Sequence, residues 1–240
     1  MTRPVGSQVA ALVADVPVLR IRLEGVLDVL TDADVAGPSA LDGWTRGHVL
    51  AHLVGVGSAV ARQIEHARAG RYVDFYDGGP ARRDAEIEAR ATSSALVHAR
   101  DVRATALRVE AALASLGPGD WSHVTRHRGW PVLGVAHTWW RELGIHLTDL
   151  RLGPTSDEWS PMLCAHLVTY LSSRLPVGTQ TILAPVDGGP PWVVGSGPQV
   201  AVRGSATDLA ALVAGRAPCG LLVAERDGAS TDLPELGPWP

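Results

Sequence analysis

Between residues 7 and 30, apolar positions recur every three to four residues, the spacing of a helix with one buried face, and Pro17 is expected to break it once. A loop through Gly37, Pro38 and Gly43 follows. Thr45 then suits the N-cap of a second helix, which runs to about Ala69 and stops at Gly70. Residues 71–80 are rich in turn formers (Asp77, Gly78, Gly79, Pro80) and read as a loop. From Ala81 to Leu116 one long pattern of Ala, Arg and Glu predicts a third helix, closed by Gly117-Pro118-Gly119. A fourth starts near Pro131, a residue suited to a first helical position, and reaches about Arg151. Four long helices on short joints predict an antiparallel bundle.

Beyond Gly153-Pro154 the periodicity changes. One short helix is expected from Pro161 to Arg174, then strand-like runs over Thr181–Val186, Trp192–Val194 and Val200–Arg203, punctuated by Gly and Pro. Ala206–Ala214 reads as a helix, Leu221–Ala224 as a last strand, and the tail as turns. The fold class is α plus α+β: a four-helix bundle over residues 1–153, followed by a small α+β domain over residues 154–240.

The 240 residues carry a formal net charge of -4, with 46% hydrophobic and 19% charged side chains, an ordinary globular balance. A pI near 6.1 leaves no basic stripe to displace counterions, which excludes a nucleic-acid binder. No apolar run approaches the ~18 residues that span a bilayer. The N-terminal segment is amphipathic and holds Asp15, Arg20, Arg22 and Glu24, so it is read as no signal peptide and the expected location is cytoplasmic. Two cysteines, Cys164 and Cys219, are too few for a disulfide framework. Lysine is absent, so every cationic side chain is an Arg, a planar fork suited to carboxylates and phosphates that does not titrate as a base.

Helical angles single out the residues able to do chemistry. In the second helix Val49, Leu53, Val56 and Val60 form a stripe; His52 falls about 70° from its centre and His48 about 110°, on ideal geometry. In the fourth, Val132, Val135, Trp139, Leu143 and Leu150 form the stripe. His146 lies inside it and Glu142 on its border, an i, i+4 pair on one face. A carboxylate at the edge of a buried stripe is costly unless it is paired or binds a metal. With His52, the pair makes a His₂Glu set, a catalytic zinc pattern that leaves a position open for water or substrate. Spacing alone leaves two readings open: a metal site inside the bundle, or an exposed Glu–His contact beside a hydrogen-bonded histidine.

The other histidines show less. His48 is a conceivable fourth ligand, though its angle favours the rim. His66, His98, His123, His127 and His166 read as surface or packing, and His137 falls away from the stripe. Arg82 and Arg83 open the third helix beside a Gly-Gly-Pro loop, where Arg83 is placed to clamp an anionic ligand; the competing reading is a solvated helix start. Arg203 ends a strand, and Arg216 follows the last helix at a Gly-Arg turn.

Gly43-Trp44-Thr45 through Ala51-His52-Leu53, Arg83-Asp84 with Ile87-Glu88, and Trp140-Arg141-Glu142-Leu143 through His146-Leu147-Thr148-Asp149-Leu150 together resemble the mycothiol-dependent maleylpyruvate isomerase family, whose N-terminal half is a DinB-like four-helix bundle. Val202-Arg203-Gly204, Asp208-Leu209 and Gly215-Arg216 resemble its second domain. The resemblance implies that His52, Glu142 and His146 hold a divalent metal, usually Zn²⁺, that mycothiol is the cosubstrate, and that an arginine of the second domain assists; we place that role on Arg216, with Arg203 as rival. His48 departs from the acidic or neutral residue common in the family, which opens the metal's surroundings to change.

The reading that follows is a metal- and mycothiol-dependent enzyme. It would activate a thiol for addition to a double bond of a small anionic or electrophilic substrate and isomerise it from cis to trans. A mycothiol S-transferase and a non-catalytic metal- or ligand-binding bundle are the alternatives, with a zinc-water hydrolase behind them. A monomer is expected.

Overall fold

A computed structural model describes residues 4–240 and divides the chain into two compact units, Met1–Pro154 and Thr155–Pro240. In the first unit, α1 (Val5–Asp28), α3 (Arg46–Arg68), α5 (Ala95–Ala114) and α6 (Val132–Asp149) form the bundle, joined by short α2 (Asp32–Ala36) and by α4 (Gly79–Ala91). Contacts run from α1 to α6, α6 to α3, α3 to α5 and α5 back to α1, so the four long helices close a ring. The α plus α+β fold class read from the sequence is the one observed.

Pro17 does not break α1. The proline removes the amide partner of the Val13 carbonyl, but Val13 is exposed, so water can take the vacant place while Leu12, Val16, Leu19 and Leu23 stay buried on the adjoining face. The segment between α1 and α3 was expected to be loop; Thr31 and Asp34 close a capping box there and start α2.

The single helix expected from Ala81 to Leu116 is two helices. Thr92, Ser93 and Ser94 interrupt it, and the Ser94 hydroxyl caps α5 by accepting from the Val97 amide. The break lets α4 end against the start of α3: a Cβ on Gly47 would sit 2.0 Å from the Ala91 carbonyl oxygen, so only glycine permits this approach. α4 therefore runs antiparallel along α3.

α6 is buried nearly all round, because α1 packs on one side of it and α3 on another. His137, which the stripe left outside, is accordingly buried, and Trp140 donates its indole N–H to Asp15 of α1 at 2.6 Å. Gly57 of α3 admits α6 and α5: a Cβ there would meet Thr105 at 2.5 Å and the Trp139 ring at 2.8 Å.

In the second unit α7 (Pro161–Leu171) precedes a five-stranded sheet ordered β2-β1-β3-β4-β5, with β1 (Gln180–Pro185), β2 (Trp192–Val194), β3 (Gln199–Gly204), β4 (Val223–Arg226) and β5 (Ala229–Thr231). β1 and β3 are parallel and the other pairs antiparallel. The register aligns Leu183, Val202 and Ala224 in one buried row. α8 (Ala206–Val213) packs on α7, β1 and β3. The last strand lies two residues later than expected and continues into β5 through Asp227-Gly228, both at positive φ (52° and 78°), a turn pair the sequence reading passed over.

Two outcomes test this packing. Gly57→Ala is expected to lower stability by about 1–3 kcal/mol in urea unfolding despite alanine's helix propensity, whereas Gly55→Ala, whose added Cβ meets nothing within 4 Å, is expected to gain up to about 1 kcal/mol. Burial, then Arg141, hold the His137 imidazole down to about 4, below its unfolded value of about 6.5. The unfolded chain thus takes up a proton first as pH falls. Stability is expected to drop by about 2 kcal/mol between pH 6.5 and 5, and His137→Gln should remove that part of the slope.

Candidate metal centre

Thr45 starts α3 through a capping box that uses His48: the Thr45 hydroxyl accepts from the His48 amide, and the Thr45 amide donates to His48 Nδ1 at 3.1 Å. His48 Nε2 points to Glu88 at 3.4 Å. Both ring nitrogens are thus engaged at the helix start, and His48 is no ligand of the cluster one turn on.

His52 projects from that next turn and is buried. Its Nε2 lies 2.8 Å from Glu142 Oε2, and His146 Nε2 lies 3.0 Å from the same oxygen. The two imidazoles meet edge to face, with ring centres 4.6 Å apart, and Trp44 packs on His52 from outside. Behind His146 stands Asp149, almost wholly buried, whose carboxylate accepts from Nδ1 at 2.9 Å. That bond places the Nδ1 proton and aims the Nε2 lone pair inward, the orienting arrangement found behind metal-ligating histidines. Asp149 stands three residues after His146, so helical spacing alone would have found it; the sequence reading quoted it in a motif without giving it this role. His52 has no such support: its Nδ1 is buried without a hydrogen-bond partner.

The electrostatics centre on Glu142. Burial alone would push its carboxyl up, but hydrogen bonds from His146 and His52 outweigh that and hold it well below the usual carboxylate range. Burial also works against a proton on His146, yet Asp149 and Glu142 together push that imidazole up to about 9. On His52 burial wins, and the imidazole is lowered. Two ring nitrogens aimed at one carboxylate oxygen require positive charge between them, as protons or as a metal cation. Two nitrogens and an oxygen, all within 4.8 Å of one another and with each nitrogen 2.8–3.0 Å from the oxygen, are a donor set that could hold a divalent cation.

Beside the cluster lies a cavity of about 190 Å³ between α3, α4, α5 and the 75–77 loop. Arg83 lines it, stacked over the Tyr76 ring at 5.6 Å and bonded to the neighbouring Asp84. Its charge acts on His52, and that of Glu142 acts on Tyr76, so both residues face the cluster's field. Arg203 and Arg216 belong to the second unit. Arg203, on β3, faces Glu225 at 3.6 Å; Arg216 donates to the Ala214 carbonyl at 2.8 Å and stacks on Trp239.

Among the described residues no helix is long and apolar enough to cross a membrane. No curated protein matches the chain. Two crystal structures share its fold, that of the mycothiol-dependent maleylpyruvate isomerase and that of a histidine-to-alanine mutant of it. Each is 21% identical, with a TM-score of 0.82 over 96% of this chain and 97% of the other. At that identity the likeness speaks for the fold. Residues 16–151, more than half of the chain and the whole of the cluster's setting, match the family model described as the mycothiol maleylpyruvate isomerase N-terminal domain, and the chain belongs to that family.

Proposed function

We propose that the chain is a zinc- and mycothiol-dependent enzyme that isomerises a maleylpyruvate-like acid from cis to trans. The observation that carries this reading is the convergence of His52, Glu142 and His146 on one point, inside the domain that the family model matches. His52 Nε2, Glu142 Oε2 and His146 Nε2 would hold the cation. When bound, the metal supplies Lewis-acid chemistry that keeps a thiol deprotonated at neutral pH.

The remaining work falls to the protein. Asp149 keeps the His146 ring in its tautomer, and Glu142 remains ionised. Arg83 binds a carboxylate of the acid, its guanidinium held by Tyr76 and Asp84, and stabilises the negative charge that spreads toward that end after addition. The chemistry served is addition of the thiolate sulfur to the cis double bond, rotation about the resulting single bond, and elimination of the same thiolate as the double bond re-forms trans. The thiol is regenerated, so atoms balance without a second reactant.

Elemental analysis is the first test. About one zinc per chain is expected in the wild type and in Arg83→Ala, with loss in His52→Ala, Glu142→Ala and His146→Ala. Asp149→Asn is expected to keep the fold and weaken zinc binding about 10–100-fold. A folded wild-type protein that refuses added zinc would overturn the reading. With zinc and sub-stoichiometric mycothiol, proton NMR is expected to show the cis acid becoming trans while free thiol stays constant; a stable thioether would mean transfer instead. In that assay Arg83→Ala is expected to raise KM for the acid roughly tenfold.

A further inference from the structure

The two histidines of the cluster are held in different ways. The His146 ring is oriented by the Asp149 carboxylate, which accepts from its Nδ1 at 2.9 Å. The His52 ring has no such bond, since its Nδ1 is buried without a partner. Its one hydrogen bond, between Nε2 and Glu142 at 2.8 Å, is the contact that a cation on Nε2 takes over. Ring packing is therefore what orients His52. Two aromatic rings supply it: His146, edge to face at 4.6 Å, and Trp44 at 5.8 Å, inclined by 57°. His146 is itself a member of the cluster, which makes Trp44 the support from outside.

The indole is anchored for that task. Gly43, at φ 76°, turns the chain ahead of it. The turn closes through Ser39: the Trp44 carbonyl accepts from the Ser39 amide at 3.0 Å and from its hydroxyl at 2.8 Å, while the Trp44 amide donates to the Leu41 carbonyl at 3.0 Å. Thr45, the next residue, caps α3. The indole also lies 6.0 Å from the His48 ring, inclined by 27°, and the Thr45 amide pins that ring at Nδ1. The same turn reaches the support of the second histidine, because the Ala40 amide donates to the Asp149 carbonyl at 2.8 Å. One turn ahead of α3 thus braces both rings, by packing on His52 and through Asp149 on His146.

We infer that Trp44 is the positioning residue of His52, its indole standing in for the hydrogen bond that the ring lacks, so that zinc affinity depends on an aromatic side chain at this place. The inference rests on the metal reading of the cluster given above. An aromatic pair attracts beyond the area it buries, and its geometry restricts the tilt of the ring as well as its place. The indole is half-buried and is no member of the donor set, so replacing it removes a contact with His52 and not a ligand.

Competition for zinc against a chromogenic chelator, read beside thermal melts of the metal-free chain, tests this without turnover. Trp44→Leu is expected to weaken zinc binding about three- to tenfold, and Trp44→Phe to hold it within about twofold of the wild type. Should Trp44→Leu not fold, Trp44→Met takes its place. The cobalt-loaded chain separates this role from a general loosening of the bundle. In its proton NMR spectrum the Nδ1 protons of the two histidines are shifted by the metal. Trp44→Leu is expected to move the signal of His52 and spare that of His146, and Asp149→Asn to do the reverse. Unchanged zinc affinity in Trp44→Leu, no rescue by phenylalanine, or both signals moving together overturns the inference. A wild type that refuses zinc overturns the metal reading and this inference with it, whereas a wild type that binds zinc no more tightly than Trp44→Leu overturns this inference alone. A Trp44 effect in a chain without thiol-dependent turnover would leave the inference standing and sink the proposed reaction.

Discussion

One half-buried carboxylate organises the helical unit. Glu142 cannot sit between α3 and α6 as a bare charge, and the side chains around it supply the compensation from both helices: His52 from α3, His146 from its own. That requirement adds a register constraint to the apolar packing of the two helices. His52 lies near the start of α3 and His146 near the end of α6, so the helices must run antiparallel with these turns abreast. Other contacts enforce the same alignment. Arg46, in the first turn of α3, donates to the carbonyl of Leu150 at the end of α6, and the Ala40 amide donates to the Asp149 carbonyl. The last turn of α6 thus has its open carbonyls satisfied by the segment leading into α3, which holds Asp149 and, through it, His146.

The sequence was legible where one residue's spacing reports one face. The α3 boundaries, the apolar stripe of α6 and the angular placing of His52, Glu142 and His146 all follow from the helical period, and the structure brings those three side chains together. Legibility failed where a feature depends on neighbours from elsewhere in the chain. His137 seemed to lie off the stripe because a stripe assumes one buried face, whereas α6 has helices on two sides. Pro17 looked like a break because the rule is local, and the exposure of Val13 that makes the proline tolerable is not. The split between α4 and α5 was in principle visible in Thr92-Ser93-Ser94, but a run of Ala, Arg and Glu hides three residues whose side chains prefer to cap.

Arginines were the least legible, for a physical reason. With every cation an Arg, residue type carries no information about role, and what distinguishes them is their counter-charges. Arg174 shows this in the second unit: buried, it donates to the Val213 and Gly237 carbonyls and stacks on Trp239, which fastens the C-terminal segment to α8. Burial with backbone partners marks a structural cation. Arg216 stacks on the same Trp239 and donates to the Ala214 carbonyl. Arg83 and Arg62 line a cavity instead, Arg83 paired with Asp84 of its own helix and Arg62 donating to the Asp74 carbonyl.

α3 also explains how one element serves two tasks without conflict. Residues 51, 55, 58 and 62 fall within about 60° of one another on a helical projection, and His52 falls about 60° beyond the edge of that arc. One face of the helix can therefore line an open cavity while the adjoining edge turns an imidazole onto α6. The floor of the cavity and His52 thus belong to one rigid helix, so their relation is set by helix geometry rather than by a loop.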